Sequence, residues 1–158
     1  MSEQHTTPAD VVRAYARAKS RADVQEALRY CGQDTVFETI AFQAVATGLG
    51  EVARQTTAFL RAFPDYGVEL DYLAEADDLV VGAGTIRATM MESLVGIEPT
   101  GRAFELPFAC HWRVRDGLIR HERFFFDFHQ MCEQLGLSTA DAAARFAAWR
   151  ERAKAVAR

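Results

Sequence analysis

Two segments at the start of the chain carry apolar residues at helical spacing. Thr7 offers a capping hydroxyl, Pro8 suits the first helical position, and Asp10 places an acid in the first turn. The sequence therefore predicts a helix that begins here. A second short helix should follow Ser20 and end at Gly32.

The next part of the chain has an extended pattern followed by a helical one. Residues 35–46 are rich in Thr, Val, Ile and Phe, which favours extended structure that ends near Gly48. In residues 51–63 the apolar positions fall along one helical stripe. Pro64 should end that helix, because the residue before a proline disfavours the helical conformation.

After Pro64 the apolar positions alternate, which indicates β-strands. Val68, Leu70 and Tyr72 should share one face of a first strand. Residues 79–91 form a long run of small and apolar residues that is typical of an inner strand.

The clearest strand pattern follows a predicted loop at residues 96–102. Apolar residues occupy every second position in residues 104–114, and Pro107 implies a sheet edge or a bulge. An Asp-Gly pair at 116–117 is a typical hairpin turn, so residues 118–126 should form the returning strand.

A last helix is predicted at the end of the chain. Ser138 can cap it, and its apolar stripe includes Phe146 and Trp149. Packing on the core or on a second subunit is the simplest role, with a membrane-surface role as the alternative because the helix is basic. We therefore expect a single domain over residues 1–158, in which 137–158 form a C-terminal helical extension.

The composition fits one ordinary globular domain, with 158 residues, 49% hydrophobic and 25% charged. A formal charge of −4 gives no electrostatic footprint for nucleic acid or an anionic membrane, so a small apolar partner is expected. The polar start and the lack of a long apolar run predict a cytoplasmic protein. Cys31, Cys110 and Cys132 have no CxxC spacing, which indicates buried reduced thiols.

Three stretches carry a family resemblance. Residues 48–65 end in Ala-Phe-Pro-Asp, residues 96–102 read Gly-Ile-Glu-Pro-Thr-Gly-Arg, and residues 113–136 run through Asp-Gly-Leu-Ile to Gln-Leu-Gly. In this order and spacing they resemble the SnoaL-like polyketide cyclases, or ester cyclases, of the superfamily named after nuclear transport factor 2. The resemblance covers residues 47–136.

The resemblance implies an α+β fold, in which a curved mixed β-sheet forms a cone around the N-terminal helices. The cone would open to an apolar cavity, and the protein would be a homodimer. Relatives of this kind include aldol cyclases, isomerases, epoxide hydrolases, dehydratases and proteins that only bind, so the site has to decide the function.

Asp127 is the first candidate for acid/base chemistry. It lies between three phenylalanines and Phe128, and apolar surroundings raise the pKa of a carboxylic acid, which suits proton transfer. In the resembling family an Asp also precedes the final helix. The alternative is that Asp127 caps the helix that starts near Phe128.

The hairpin turn decides which histidines face the pocket. A two-residue turn pairs Trp112 with His121 and directs His121, Arg123 and Asp127 to the apolar side. A three-residue turn with a bulge reverses the faces, so that His111, His121 and Asp127 share the other side. In both registers His121 and Asp127 point the same way, about 20 Å apart at about 3.3 Å per residue. They would then bracket a substrate, although either histidine could serve only as a structural hydrogen-bonding group.

Aromatic and polar neighbours complete the predicted pocket. Trp112, Phe108 and Phe125 should shape its walls, and Arg123 should contact the substrate. The resembling family often carries a His-Trp-Asp-like stretch on this strand. This chain reads His-Glu-Arg-Phe there, with Glu122 as the other acid of the strand, so the usual acid is displaced or missing.

We therefore predict a cofactor-free acid/base enzyme, a cyclase or isomerase, that acts on a small apolar carbonyl compound. Asp127 would be the general acid/base, assisted by His121 or His111. A metal is not expected, because the four histidines lack HExxH-type spacing. Two alternatives remain: a non-enzymatic ligand-binding or dimerisation module, and an epoxide-hydrolase-like enzyme that uses Arg123 and Asp127.

Overall fold

The computed structural model describes residues 6–158, so the polar start at residues 1–5 lies outside the described residues. Within them, five α-helices and six strands follow one another, and a 3-10 turn joins the first two strands. The helices are α1 (Pro8–Ser20), α2 (Val24–Arg29), α3 (Leu49–Ala62), α4 (Phe128–Leu135) and α5 (Thr139–Val156). The strands are β1 (Cys31–Thr39), β2 (Ala44–Thr47), β3 (Gly67–Ala76), β4 (Leu79–Thr89), β5 (Ala103–Arg115) and β6 (Leu118–Phe126), and the 3-10 turn is Ile40–Phe42.

All six strands belong to one curved, unclosed sheet in the order β2-β1-β6-β5-β4-β3. β1 runs parallel to β6, and every other neighbouring pair is antiparallel. The sheet is therefore mixed, with N-terminal helices and a C-terminal helix packed around it. This confirms the predicted α+β class.

The first two helices show what short-range signals can and cannot decide. Thr7 caps α1 as predicted, and Asp10 completes a reciprocal cap, in which each side chain accepts from the backbone N–H of the other residue. The prediction that α2 runs to Gly32 is wrong, because β1 begins at Cys31. A Cβ at Gly32 would lie 2.7 Å from Nη1 of Arg120, so this glycine allows a close approach rather than ending a helix.

A bulge changes the predicted face of β3. Leu70 pairs with Gly84 and Tyr72 with Ala83, so Asp71 is one extra residue in the ladder. The prediction that Tyr72 shares the buried face is therefore wrong, and its side chain is 60% exposed.

β5 has the predicted alternation over its full length. Its inward residues are all buried, namely Phe104, Leu106, Phe108, Cys110, Trp112 and Val114. Pro107 lies beyond the last pair with β6, Phe108↔Phe126, so its missing N–H interrupts no ladder on that side and the strand is locally an edge. Asp116 and Gly117 have positive φ angles of 54° and 71° and form a two-residue turn.

A second bulge, on β6, decides which side chains face inward. Val114 pairs with Ile119, but Arg113 already pairs with His121, so Arg120 is an extra residue. Trp112 therefore pairs with Glu122, and the prediction that it pairs with His121 is wrong. One added residue reverses both faces of the rest of the strand.

Candidate active site

A cavity of about 800 Å³ lies between α1, α3, α5 and the inner face of the sheet. Its walls are mainly apolar, and aromatic rings from six elements and from the segment between α3 and β3 contribute to them. These rings are Phe37, Phe42, Phe59, Tyr66, Phe104, Phe124, Phe126, Phe146 and Trp149. A cavity of this size and lining suits a small apolar molecule.

Glu122 is the buried carboxylate of this cavity. It is 4% exposed, and among residues 6–158 it is the only charged residue that is buried. Nε1 of Trp112 donates a hydrogen bond to its Oε2 at 2.8 Å. This neutral donor holds the carboxylate and leaves its other oxygen without a hydrogen bond from the described residues, and Glu122 lines the cavity.

Lys19 brings a positive charge to the same cavity. It is half-buried near the end of α1, and its Nζ lies 5.3 Å, 5.5 Å and 5.9 Å from the ring centroids of Tyr15, Tyr66 and Phe124. These are cation–π distances. Within the described chain no carboxylate lies close enough to Lys19 for an ion pair. The ammonium group is therefore held by aromatic faces rather than by an acid.

Two buried tyrosines supply neutral donors beside these charges. Burial raises the pKa of Tyr66 and of Tyr15 well above the usual range, and the negative charge of Glu122 adds to both shifts. Both hydroxyls therefore stay protonated at neutral pH. Tyr66 lines the cavity, and the hydroxyl of Tyr15 has no hydrogen-bond partner in the part of the chain that is described.

The three thiols are buried and form no disulfide, as predicted. Burial raises the pKa of Cys31 to about 12 and that of Cys110 well above its ordinary value. All three cysteines are free. A thiolate nucleophile in this site is therefore disfavoured.

Asp127 lies outside the cavity, at the first turn of α4. Its Oδ1 accepts from the backbone N–H of Gln130 at 2.9 Å, and the residue is exposed. Asp127 thus caps α4, which is the alternative to acid/base catalysis that the sequence left open. The structure does not bring Asp127 to the carboxylate, ammonium and hydroxyl groups described above.

Four of the predicted site residues instead lie on the opposite face of the sheet. We call Glu38, His111, His121, Arg123 and Phe125 the outer cluster. Oε2 of Glu38 lies 2.7 Å from Nε2 of His121 and 2.9 Å from Nε of Arg123, and the second contact is an ion pair that lacks hydrogen-bond alignment. The imidazole of His111 stacks on Phe125 with 5.7 Å between ring centroids. The bulge at Arg120 accounts for this placement, since it turns His121 and Arg123 away from the cavity.

Trp112 and Phe108 lie on the inner side, behind the cavity wall. Trp112 holds Glu122, and the ring of Phe108 stacks on Phe124 at 4.9 Å with an interplanar angle of 7°. They therefore support groups that line the cavity. Sequence reasoning missed Lys19, although it lies four residues after Tyr15 on the buried side of α1.

Comparison with known proteins agrees with this geometry. The family model of the SnoaL-like polyketide cyclases matches residues 9–135. The chain belongs to this family. No protein of curated function matches the sequence.

Several solved structures share the fold. A protein with a ketosteroid isomerase-like fold from Catenulispora acidiphila, in complex with trimethylamine, is 17% identical with a TM-score of 0.75, covering 85% of this chain and 98% of its own. IdmH of Streptomyces antibioticus, with polyketide cyclisation as its suggested activity, is 23% identical with a TM-score of 0.70, covering 83% and 99%. An LEH-like epoxide hydrolase of Mycobacterium tuberculosis is 18% identical with a TM-score of 0.67, covering 81% and 88%. At these identities the likeness shows the fold alone.

α5 lies beyond the part of the chain that the SnoaL-like family model matches. It nevertheless completes the cavity, since Phe146, Trp149 and Arg152 line it. No helix among the described residues is long and apolar enough to cross a membrane, and no group of three or more potential metal ligands occurs there.

Proposed function

We propose that this SnoaL-like protein is an acid/base enzyme that transfers a proton next to the carbonyl group of a small apolar compound. The observation that carries the proposal is the buried Glu122 carboxylate in the wall of an apolar cavity, held by the indole of Trp112. In such surroundings a single carboxylate can accept a proton from carbon and return it.

The other groups of the cavity fit the charge that would develop. When Glu122 removes a proton from the carbon beside a carbonyl, the electron pair of the C–H bond moves onto the carbonyl oxygen. The Lys19 ammonium and the Tyr66 hydroxyl line the same cavity and can stabilise that oxygen. The enolate can then attack a second carbonyl, as in a cyclase, or take the proton back at another carbon, as in an isomerase.

This proposal assigns the proton transfer to Glu122 instead of Asp127. Asp127 already has a structural role at the N-terminus of α4, and it is exposed to solvent. His111 and His121 belong to the outer cluster and play no part in the proposed reaction.

Deuterium exchange into 2-tetralone, an apolar bicyclic ketone, tests the proposal without knowledge of the natural substrate. The protein should speed exchange of the protons beside the carbonyl, as measured by NMR in D2O. Glu122→Gln should reduce the catalysed rate by at least about 100-fold, the range for loss of a general base. The amide keeps a hydrogen-bond acceptor for Trp112, so the thermal midpoint should change little.

Glu38→Gln is the matched control, because Glu38 carries the same charge on the outer face of the sheet. It should leave the exchange rate within about twofold. Exchange at the wild-type rate in Glu122→Gln would remove Glu122 from the mechanism. Binding of 2-tetralone without any catalysed exchange would favour the alternative of a ligand-binding module.

A further inference from the structure

The mouth of the cavity carries two arginines from separate helices. Arg54 belongs to α3 and Arg152 to α5, and both line the cavity while remaining exposed. Within residues 6–158 neither guanidinium forms an ion pair with a carboxylate. Two cations without acidic partners thus lie where a ligand would enter.

The acids of the cavity offset its positive charge only in part, since Lys19, Arg54 and Arg152 line it against Glu51 and Glu122. Glu51 lines the wall near Arg54, but its Oε2 already accepts from the backbone N–H of Thr47 at 2.8 Å. The other acid, Glu122, is buried at Trp112. The rim therefore carries a local positive excess on a chain whose formal charge is −4.

Contacts within the chain fix Arg152 at this position. The ring of Phe146 stacks on Phe42 with 4.3 Å between centroids and an interplanar angle of 12°. One turn further along α5, Nη1 of Arg150 donates to the carbonyl oxygen of Phe42 at 2.9 Å. These two contacts hold α5 over the cavity. Arg152, two residues after Arg150, therefore has a defined position at the mouth.

We infer that the ligand of this cavity has an apolar body and an anionic group, such as a carboxylate, at the end that faces the mouth. The apolar body contacts the phenylalanine-rich walls, and Arg54 and Arg152 bind the anion. Guanidinium groups suit this role because their planar N–H pairs match the two oxygens of a carboxylate. The inference rests on the proposed function only in taking this cavity as the ligand site, and it narrows the substrate to an apolar carbonyl compound that also carries an acid.

Two fluorescent probes with the same apolar body separate charge from shape. 8-Anilinonaphthalene-1-sulfonate carries a sulfonate, whereas N-phenyl-1-naphthylamine is neutral. We expect Arg54→Gln and Arg152→Gln each to weaken sulfonate binding about fivefold, as for loss of one exposed charge pair. The double variant should weaken it tenfold or more, and binding of the neutral probe should stay within twofold. The preference for the anionic probe should also fall as salt is added.

Each arginine has a matched control on its own helix. Arg61 lies seven residues after Arg54, about 10 Å along the helix axis, and Arg145 lies seven residues before Arg152. Neither lines the cavity. Arg61→Gln and Arg145→Gln should leave the ratio of the two affinities unchanged. Ala153→Trp, which narrows the mouth, should weaken both probes.

Four results would overturn the inference. The first is an unchanged ratio of the two probe affinities in the double arginine variant, and the second is an equal change of that ratio in Arg61→Gln or Arg145→Gln. The third is that the double variant loses the neutral probe together with the sulfonate. The fourth is that Ala153→Trp affects the binding of neither probe. If the ratio changes in Lys19→Gln but not in the two arginine variants, the anion binds near Lys19 and not at the mouth. That result would also overturn the inference. The arginine variants test this inference by the ratio of the two affinities, and Glu122→Gln tests the proposed proton transfer by the rate of deuterium exchange, so the two failures are measured on different variants.

Discussion

The two faces of the sheet each present a carboxylate in different surroundings, Glu122 from β6 on the inner face and Glu38 from β1 on the outer face. On the inner face Glu122 is buried, and its carboxylate accepts a hydrogen bond from the neutral indole of Trp112. On the outer face Glu38, whose side chain is 26% exposed, lies against His121 and Arg123. The guanidinium of Arg123 thus offsets the charge of the outer carboxylate, whereas no cation is in contact with the inner one among the described residues. The comparison teaches that the partners of an acid, more than its sequence neighbourhood, decide what it can do.

Exchanging the neighbours His121 and Glu122, which face opposite sides of β6, should have the largest effect. The double variant His121→Glu with Glu122→His keeps the composition and moves the carboxylate to the outer face, where it would meet Glu38. Catalysed exchange in 2-tetralone should fall by at least about 100-fold, since the cavity loses its proton acceptor. Activity close to that of the wild type would show that the face of the acid does not matter.

Removing the donor that holds the inner acid should have the next largest effect. Trp112→Phe keeps an aromatic ring and deletes the N–H that bonds to Glu122. A hydrogen bond to a charged group contributes about 1.5–3 kcal/mol, so the free energy of unfolding should fall by that amount. We expect kcat for 2-tetralone exchange to fall about tenfold with little change in KM, because the residue orients the carboxylate without contacting the ligand. An equal effect on KM would indicate that Trp112 shapes the binding wall instead.

Substitutions of Asp127 should affect stability and leave the inner face unaffected. Asp127→Ala removes the N-cap of α4 and should cost about 1 kcal/mol in chemical denaturation. Asp127→Asn can still cap the helix and should be almost neutral. Both variants should keep the wild-type exchange rate per folded molecule. Loss of activity in both would restore Asp127 as the acid/base.

The smallest expected effect concerns the outer cluster. Burial, followed by the charge of Arg123, lowers the pKa of His111 below its ordinary value. A lowered pKa means that the folded state disfavours the protonated imidazole, so removing the cation should allow protonation at higher pH. Arg123→Gln should therefore raise the pKa of His111 in an NMR titration without changing 2-tetralone exchange. A lower pKa in the variant would contradict the charge effect.

Local patterns were sufficient to predict much of the fold. The cap at Thr7, the alternation of β5 and the hairpin turn at Asp116 each depend on residues close in sequence, and each was confirmed. The cap at Asp127 was one of two open alternatives. These features follow from local hydrogen bonding and side-chain period alone.

The faces of β6 could not be predicted in the same way. The extra residue Arg120 is held by Asp34, with Nη1 to Oδ1 at 2.8 Å across 86 positions of the chain. Alternation within residues 118–126 carries no sign of that partner, so the sequence left two sets of faces open, and the observed side of His111 and His121 is that of the alternative with a bulge. Lys19 was within reach of the pattern, because a cation on the buried face of a helix is unusual enough to indicate a site.

The parallel pairing of β1 with β6 also has a consequence for how the chain folds. Glu38 and His121 meet across 83 positions, whereas β3, β4, β5 and β6 pair with sequence neighbours. Closing so long a loop costs conformational entropy before any contact offsets it, which makes such pairings slow. During synthesis, most of the chain must therefore have emerged before β6 can dock against β1 and bury Glu122. We therefore expect the cavity to form late in folding, so that a nascent or partly unfolded chain would expose its phenylalanines together with its acid.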